Sequence, residues 1–124
     1  MVIKKDGIKP KKEIIKLESI RVESGTNITP RAEVKVIYQG KNYSSNSTGD
    51  GPVDACFKAV DKITKLKPKL MQYKLEAITQ GRDAQGLVRV ELALDRRVVS
   101  GLSSSTDIIE ASLKAYLDAL NKLL

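Results

Sequence analysis

A two-layer α+β fold, built from two β-β-β-α units with antiparallel sheet and the helices packed on one face, is predicted by three observations. The chain carries one pattern twice: Asp54-Ala55-Cys56-Phe57-Lys58-Ala59 returns 56 positions later as Glu110-Ala111-Ser112-Leu113-Lys114-Ala115, and Ile15-Lys16-Leu17-Glu18-Ser19-Ile20 returns 58 positions later as Tyr73-Lys74-Leu75-Glu76-Ala77-Ile78. Segments of alternating apolar residues precede each copy of a helical stripe. Both stripes open on helix start signals. Duplication of this kind implies pseudo-twofold structure. Two equivalent loops then face one region, which suits a symmetric binding site or a dimer better than a catalytic centre.

Element by element, Ile15, Leu17, Ile20 and Val22 predict a first strand whose facing slips near Ser19, where a bulge restores it. Ala32, Val34, Val36 and Tyr38 alternate with Glu33, Lys35 and Ile37, so the second strand has one mainly apolar face. Gln39-Gly40 is a tight-turn pair leading to a third strand through Tyr43. Gly51 or Asp50 caps a helix with Pro52 in its first turn, and Val53, Cys56, Phe57, Val60 and Ile63 form its apolar face. Copy two predicts strands over 73–79, 87–94 and 97–102, with an Asp95-Arg96 turn before the last. Asp107 and Glu110 have capping-box spacing, and Ile109, Leu113, Tyr116, Leu120 and Leu123 make the closing stripe. Repeat one covers about 14–66 and repeat two about 71–124.

Composition narrows the function. At 124 residues and 41% hydrophobic, the chain is expected to be one domain over 14–124, preceded by a Lys-rich leader over 1–13. No apolar run approaches the ~18 residues of a membrane span and no apolar signal core follows the first lysines, so a cytoplasmic location away from membranes is expected. Cys56 is the single cysteine, which excludes an internal disulfide, and its place on an apolar helix face favours buried packing over reactivity. Histidine is absent, which removes the commonest metal ligand and acid-base catalyst. The net charge of +7 is concentrated: residues 1–16 carry +4, residues 58–74 carry +5, and the remainder carries −2. Positive charge therefore gathers in a leader and around one helix end, where lysine suits the dipole.

Gly49-Asp50-Gly51-Pro52-Val53-Asp54-Ala55, then Asp83-Ala84-Gln85-Gly86, then Ser105-Thr106-Asp107-Ile108-Ile109-Glu110-Ala111-Ser112 with Ala115-Tyr116 and Asn121, resemble the C-terminal regulatory domain of 2-isopropylmalate synthase and its relative citramalate synthase. The resemblance runs from about Ile15 to the last residue, and its specific part is the Gly-Asp-Gly-Pro-Val-Asp-Ala string. Gly101-Leu102-Ser103 departs from the family's Gly-x-Gly element before the second helix.

The resemblance implies a feedback sensor: a homodimer binding leucine, or alternatively isoleucine, at the subunit interface. Catalysis would belong to a separate TIM-barrel domain, which uses a divalent metal and acetyl-CoA to extend a 2-oxo acid. On that reading this chain is an excised regulatory domain without a cofactor or catalytic residue of its own, and its leader is a linker to the catalytic part.

An amino acid brings a carboxylate, an ammonium and a side chain. The carboxylate suits the backbone N–H groups of the Gly49, Asp50, Gly51 turn at the first helix start. Asp50 or Asp54 suits the ammonium. The resemblance nominates apolar walls at Val53, Leu70, Tyr73, Ala77, Ala84 and Leu87, with Ser105, Thr106 and Ile108 from the other helix entry. Plainer roles stand beside these: Gly51-Pro52 as a simple helix start, Asp54 as a first-turn acid, and Tyr73, Leu70, Val53 and Leu87 as core. Small Ala77 beside Tyr73 leaves room for a side chain branched at Cγ, slightly favouring leucine.

Two other classes fit less well. Three strands and a helix resemble double-stranded RNA binders, but most lysines lie outside the repeated loops and aromatics total 4%, few for a stacking platform, so no nucleic-acid partner is expected. A stand-alone enzyme would need carboxylate or lysine chemistry, and no spacing marks such a pair.

Overall fold

The structure is a computed structural model that describes residues 13–81 and 84–124. Its elements run β1 (Ile15–Gly25), β2 (Ile28–Tyr38), β3 (Lys41–Thr48), α1 (Pro52–Thr64), β4 (Lys69–Ala77), β5 (Gly86–Leu94), β6 (Arg97–Ser105) and α2 (Ile108–Leu123). The β-β-β-α plan is thus repeated as expected. The strands form two separate antiparallel three-stranded sheets, ordered β1-β2-β3 and β4-β5-β6.

Alternation builds the sheet faces. Ala32, Val34 and Val36 of β2 and Val88, Val90 and Leu92 of β5 are fully buried, while the residues between them point away from the helices. In β1 the pairing shifts between Leu17 and Ser19, so Glu18 is the extra residue that puts Leu17 opposite Val36 and Ile20 opposite Val34. The β2–β3 turn has φ of 53° at Gln39 and 79° at Gly40, the double left-handed geometry of a twist-compatible hairpin.

α1 buries Ala55, Cys56, Phe57, Ala59 and Val60, with Val53 and Ile63 at the rim. α2 buries Leu113, Tyr116, Leu120 and Leu123 of its expected stripe, and Ile109 sits at the edge. The helices meet through the Phe57 and Tyr116 rings, stacked 4.1 Å apart, and the Tyr116 hydroxyl donates to Asp61 Oδ1 at 2.6 Å. Gly101 lets α2 lie close on β6, since a Cβ there would stand 1.9 Å from the Ala115 carbonyl oxygen. Asn121 ties α2 to the start of β1: its Oδ1 accepts from the N–H of Ile14 and Ile15, and its Nδ2 donates to the Ile15 carbonyl.

Several boundaries move. β3 runs on to Thr48 and β6 to Ser105, because their serine-rich second halves stay paired with β2 and β5 despite lacking an apolar pattern. β4 spans 69–77 rather than 73–79, since Lys69 and Leu70 pair with Ala93 and Leu92. This also corrects the repeat register of the first strands. Leu17 faces Val36 as Leu70 faces Leu92, and Ile20 faces Val34 as Tyr73 faces Val90, an offset of 53 and not 58. The bulged residues Glu18 and Met71 obey the same offset. Position relative to the partner strand decides which residues are equivalent, so the shared Lys-Leu-Glu string is a coincidence of composition.

Candidate functional site

The corrected register exposes a difference between the repeats. The inner side of β1 is roofed by both helices: Ile15 is fully buried, and Leu17, Ile20 and Val22 pack on the core. β4 approaches neither helix backbone. Its helix-facing residues Leu70, Tyr73 and Leu75, identified by their pairing with buried Leu92, Val90 and Val88, are 44%, 38% and 53% exposed. Ala77 continues the row opposite Gly86. An apolar face that is core in repeat one is therefore open in repeat two.

The far end of this face is closed by the start of α2. Ile108 lies against Gly86, where a Cβ would come 2.2 Å from Ile108 Cδ1 and 3.5 Å from Leu75 Cδ1. Ser105 pairs with Gly86 across β5–β6. The Tyr73 hydroxyl reaches Ser112 Oγ at 2.6 Å. Ala84 turns the preceding loop, its N–H donating to the Gly81 carbonyl at 3.2 Å. Thus Leu70, Tyr73, Ala77, Ser105 and Ile108 gather on one side of the second sheet. Leu87 does not, because it lies between inward-facing Gly86 and Val88 and points to the opposite side. Thr106 is exposed in the turn before α2, and Asp83 of the Asp83-Ala84-Gln85-Gly86 motif lies outside the described residues, as do residues 1–12 of the leader. Leu75 and Ser112 also border this face, Ser112 from the quoted motif and Leu75 beyond the nominated residues. Strict alternation from Tyr73 through Leu75 to Ala77 was the signal for Leu75.

Gly49, Asp50, Gly51, Val53 and Asp54 form a second group at the start of α1, and α1 does not touch β4 within the chain. Gly51 is the N-cap, with φ −161° and ψ 176°, and no side chain caps the helix. A Cβ at Gly51 would meet nothing within 4 Å, so its backbone is open to approach. Gly49 is different: a Cβ there would stand 2.5 Å from Ala55 N, so this glycine serves packing against the helix start. Asp54 Oδ2 accepts from Asp50 N at 2.9 Å and pairs with Lys58 at 3.0 Å. The Asp50 N–H, with Lys58 adding to it, holds the Asp54 carboxyl below the usual range. The Asp50 carboxylate has no hydrogen-bond or ion-pair partner among the described residues.

The two helix starts thus differ in availability. At α2, Asp107 Oδ1 accepts from Ile109 N at 2.9 Å and Glu110 N at 3.3 Å, filling the position an anion would take. Glu110 does not close the expected capping box; it reaches Ser105 Oγ at 3.3 Å and pairs with Lys114. At α1 no side chain among the described residues caps that position, and the first-turn N–H groups and the dipole favour a carboxylate. Cys56 is buried, and desolvation pushes its thiol up to about 11, so it is a packing residue. Among the described residues no grouping of His, Cys, Asp or Glu could hold a metal ion, and no helix is long and apolar enough to cross a membrane.

A duplicated β-β-β-α unit that leaves one apolar strand unroofed describes a small assembly domain. The chain belongs to the family of the LeuA allosteric (dimerisation) domain, whose family model matches residues 1–124. It is 46% identical over 110 residues to 2-isopropylmalate synthase of Aquifex aeolicus, covering 89% of this chain and 21% of that protein. The enzyme of the same name from Carboxydothermus hydrogenoformans is 47% identical over 113 residues, with 90% and 22% covered. That of Heliobacterium modesticaldum is 42% identical over 123 residues, with 99% and 24% covered. The chain spans about a fifth to a quarter of the length of these curated relatives.

Proposed function

We propose that this chain senses leucine as a feedback domain of a 2-isopropylmalate synthase, binding the amino acid where two copies of the chain meet. The observation that carries this reading is the unroofed inner side of β4, set against the roofed inner side of β1. A helix from a second copy would complete in repeat two what the chain completes for itself in repeat one. If that helix is α1, its uncapped N-terminus meets the β4 face, and the two separated groups of nominated residues become one site.

Each group then has a role. The N–H groups at Gly51, Val53 and Asp54 take the ligand carboxylate, the exposed Asp50 carboxylate takes the ammonium, and Leu70, Tyr73, Leu75 and Ala77 of the partner take the aliphatic end. The Tyr73 ring is held by Ser112, so this wall has a fixed depth. In the whole protein, the acetyl-CoA-dependent extension of a 2-oxo acid and its divalent metal belong to a catalytic domain, and effector binding here would act on that domain by coupling.

Calorimetric titration with leucine, isoleucine and valine tests the reading. Leucine and isoleucine differ in the position of one methyl, worth ~1–3 kcal/mol in a shaped pocket. Preference for leucine supports the assignment. Preference for isoleucine would instead indicate the sensor of a citramalate synthase, and no binding of any of the three would remove the amino-acid reading.

A further inference from the structure

The other end of α1 carries a separate feature. An open cleft of about 540 Å³ lies between β3 and the last turns of α1, lined by Ser47, Lys58, Asp61, Lys62, Lys65 and Lys67. Four ammonium groups exceed what a helix C-terminus calls for, because its partial charge is about −0.5 and one cation offsets it.

The nearby acids leave much of this charge unanswered. Asp54 engages Lys58 at 3.0 Å, and Lys62 Nζ donates to the Asn46 carbonyl at 2.8 Å. Lys65 and Lys67 have no ion-pair partner among the described residues. Asp61 is the one acid lining the cleft, and its Oδ1 is already taken by the Tyr116 hydroxyl. Burial pushes its carboxyl up to about 6 despite the Tyr116 hydrogen bond and the Lys67 charge, with Asp54 adding to the rise.

The backbone fixes where Lys65 sits. Lys65 is the α1 C-cap in left-handed geometry, φ 64° and ψ 6°, a position glycine usually fills. Its N–H donates to the Asp61 carbonyl at 2.9 Å, so the cap holds this lysine at the cleft that its side chain lines.

We propose that this cleft binds a small anion carrying two linked phosphate groups, held by Lys62, Lys65 and Lys67. Lysine ammoniums act on phosphate as compact point charges with three donors each, and three positive charges exceed the charge of about −1.5 to −2 on a single phosphate group. The site goes beyond the amino-acid reading and depends on neither β4 nor the start of α1.

The test is calorimetric titration of the chain with inorganic pyrophosphate at pH 7.5 and fixed ionic strength, with citrate titrated in parallel. Saturable binding of one pyrophosphate per chain, weakening as sodium chloride rises, is expected. Lys65→Gly removes a charge and gives the left-handed position its preferred residue, so its melting temperature should hold or rise while pyrophosphate affinity falls at least tenfold. Asp61→Asn keeps the acceptor for Tyr116 and removes the opposing charge, so it should tighten binding severalfold. Citrate binding as strong as pyrophosphate, unchanged affinity in Lys65→Gly, or no saturable binding would each overturn the proposal.

Discussion

The hydroxyl of Tyr73 lies 2.6 Å from the Oγ of fully buried Ser112, and among the described residues this is the one hydrogen bond that ties β4 to a helix. It satisfies a buried polar group with a side chain from a strand that is otherwise open. Tyr73→Phe and Ser112→Ala should each lower stability by ~1 kcal/mol. The double variant should lose less than the sum by ~0.5–1 kcal/mol. Urea unfolding of the four proteins measures this, and strict additivity would show that the two hydroxyls are not coupled.

Two glycines should answer substitution in opposite ways. At Gly101 a Cβ would stand 1.9 Å from the Ala115 carbonyl oxygen and 2.6 Å from Ala119 N, both backbone atoms. Helix and strand must separate to admit it, so Gly101→Ala should cost ~1–3 kcal/mol or more. At Gly51 the space is open and the backbone extended. Gly51→Val should therefore leave the urea midpoint nearly unchanged and weaken leucine binding by obstructing the helix start. An unchanged leucine affinity in that variant would move the ligand carboxylate elsewhere.

Asp61 gives a pH signature. Its ordinary value is ~3.9 in the unfolded chain, and burial raises it to about 6 in the fold. Below about pH 4 both states hold the proton, so there is no penalty. Between about pH 4 and 6 the folded state holds the proton that the unfolded state has lost, so stability falls as pH rises, and above that window the full penalty persists. Partial exposure screens some of it. Asp61→Asn should be the more stable protein at pH 7.5, with the difference in urea midpoint vanishing toward pH 4. A constant difference across that range would contradict the titration of Asp61.

Sequence patterning read some of these features and not others, for physical reasons. Ala32, Val34 and Val36, the Pro52 helix start and the Asp107 cap are local in origin, and the structure has them where spacing put them. The first-strand register depends on which residue faces Val36 or Leu92, a long-range fact that a shared tripeptide obscured. The facing of Leu87 depends on where β5 begins. Above all, Leu70, Tyr73 and Leu75 have the composition of core, and only the placement of α2 over β5 and β6 leaves them uncovered.

That open face predicts assembly. Leu75 is 53% exposed in the chain alone, so Leu75→Glu should cost the isolated fold little. Across a dimer contact it would bury a carboxylate in apolar surroundings. Sedimentation should show the parent as a dimer at tens of micromolar and Leu75→Glu as a monomer with normal circular dichroism. A variant that dimerises like the parent would exclude β4 from the contact.

The last prediction separates the two acids at the start of α1. Asp54 already accepts from Asp50 N and pairs with Lys58, both at about 3 Å, so its charge is engaged before any ligand arrives. Asp50 is exposed and free of partners among the described residues. If Asp50 meets the ligand ammonium, Asp50→Asn should weaken leucine binding by roughly 1.5–3 kcal/mol, the scale of a charge-assisted hydrogen bond, and barely change folding. Asp54→Asn loses an exposed i,i+4 pair worth ~0.3–0.5 kcal/mol and keeps an acceptor for Asp50 N, so its effect on both folding and binding should be small. The opposite ranking in calorimetry would mean that leucine displaces Lys58 from Asp54, and the ammonium contact would then belong to Asp54.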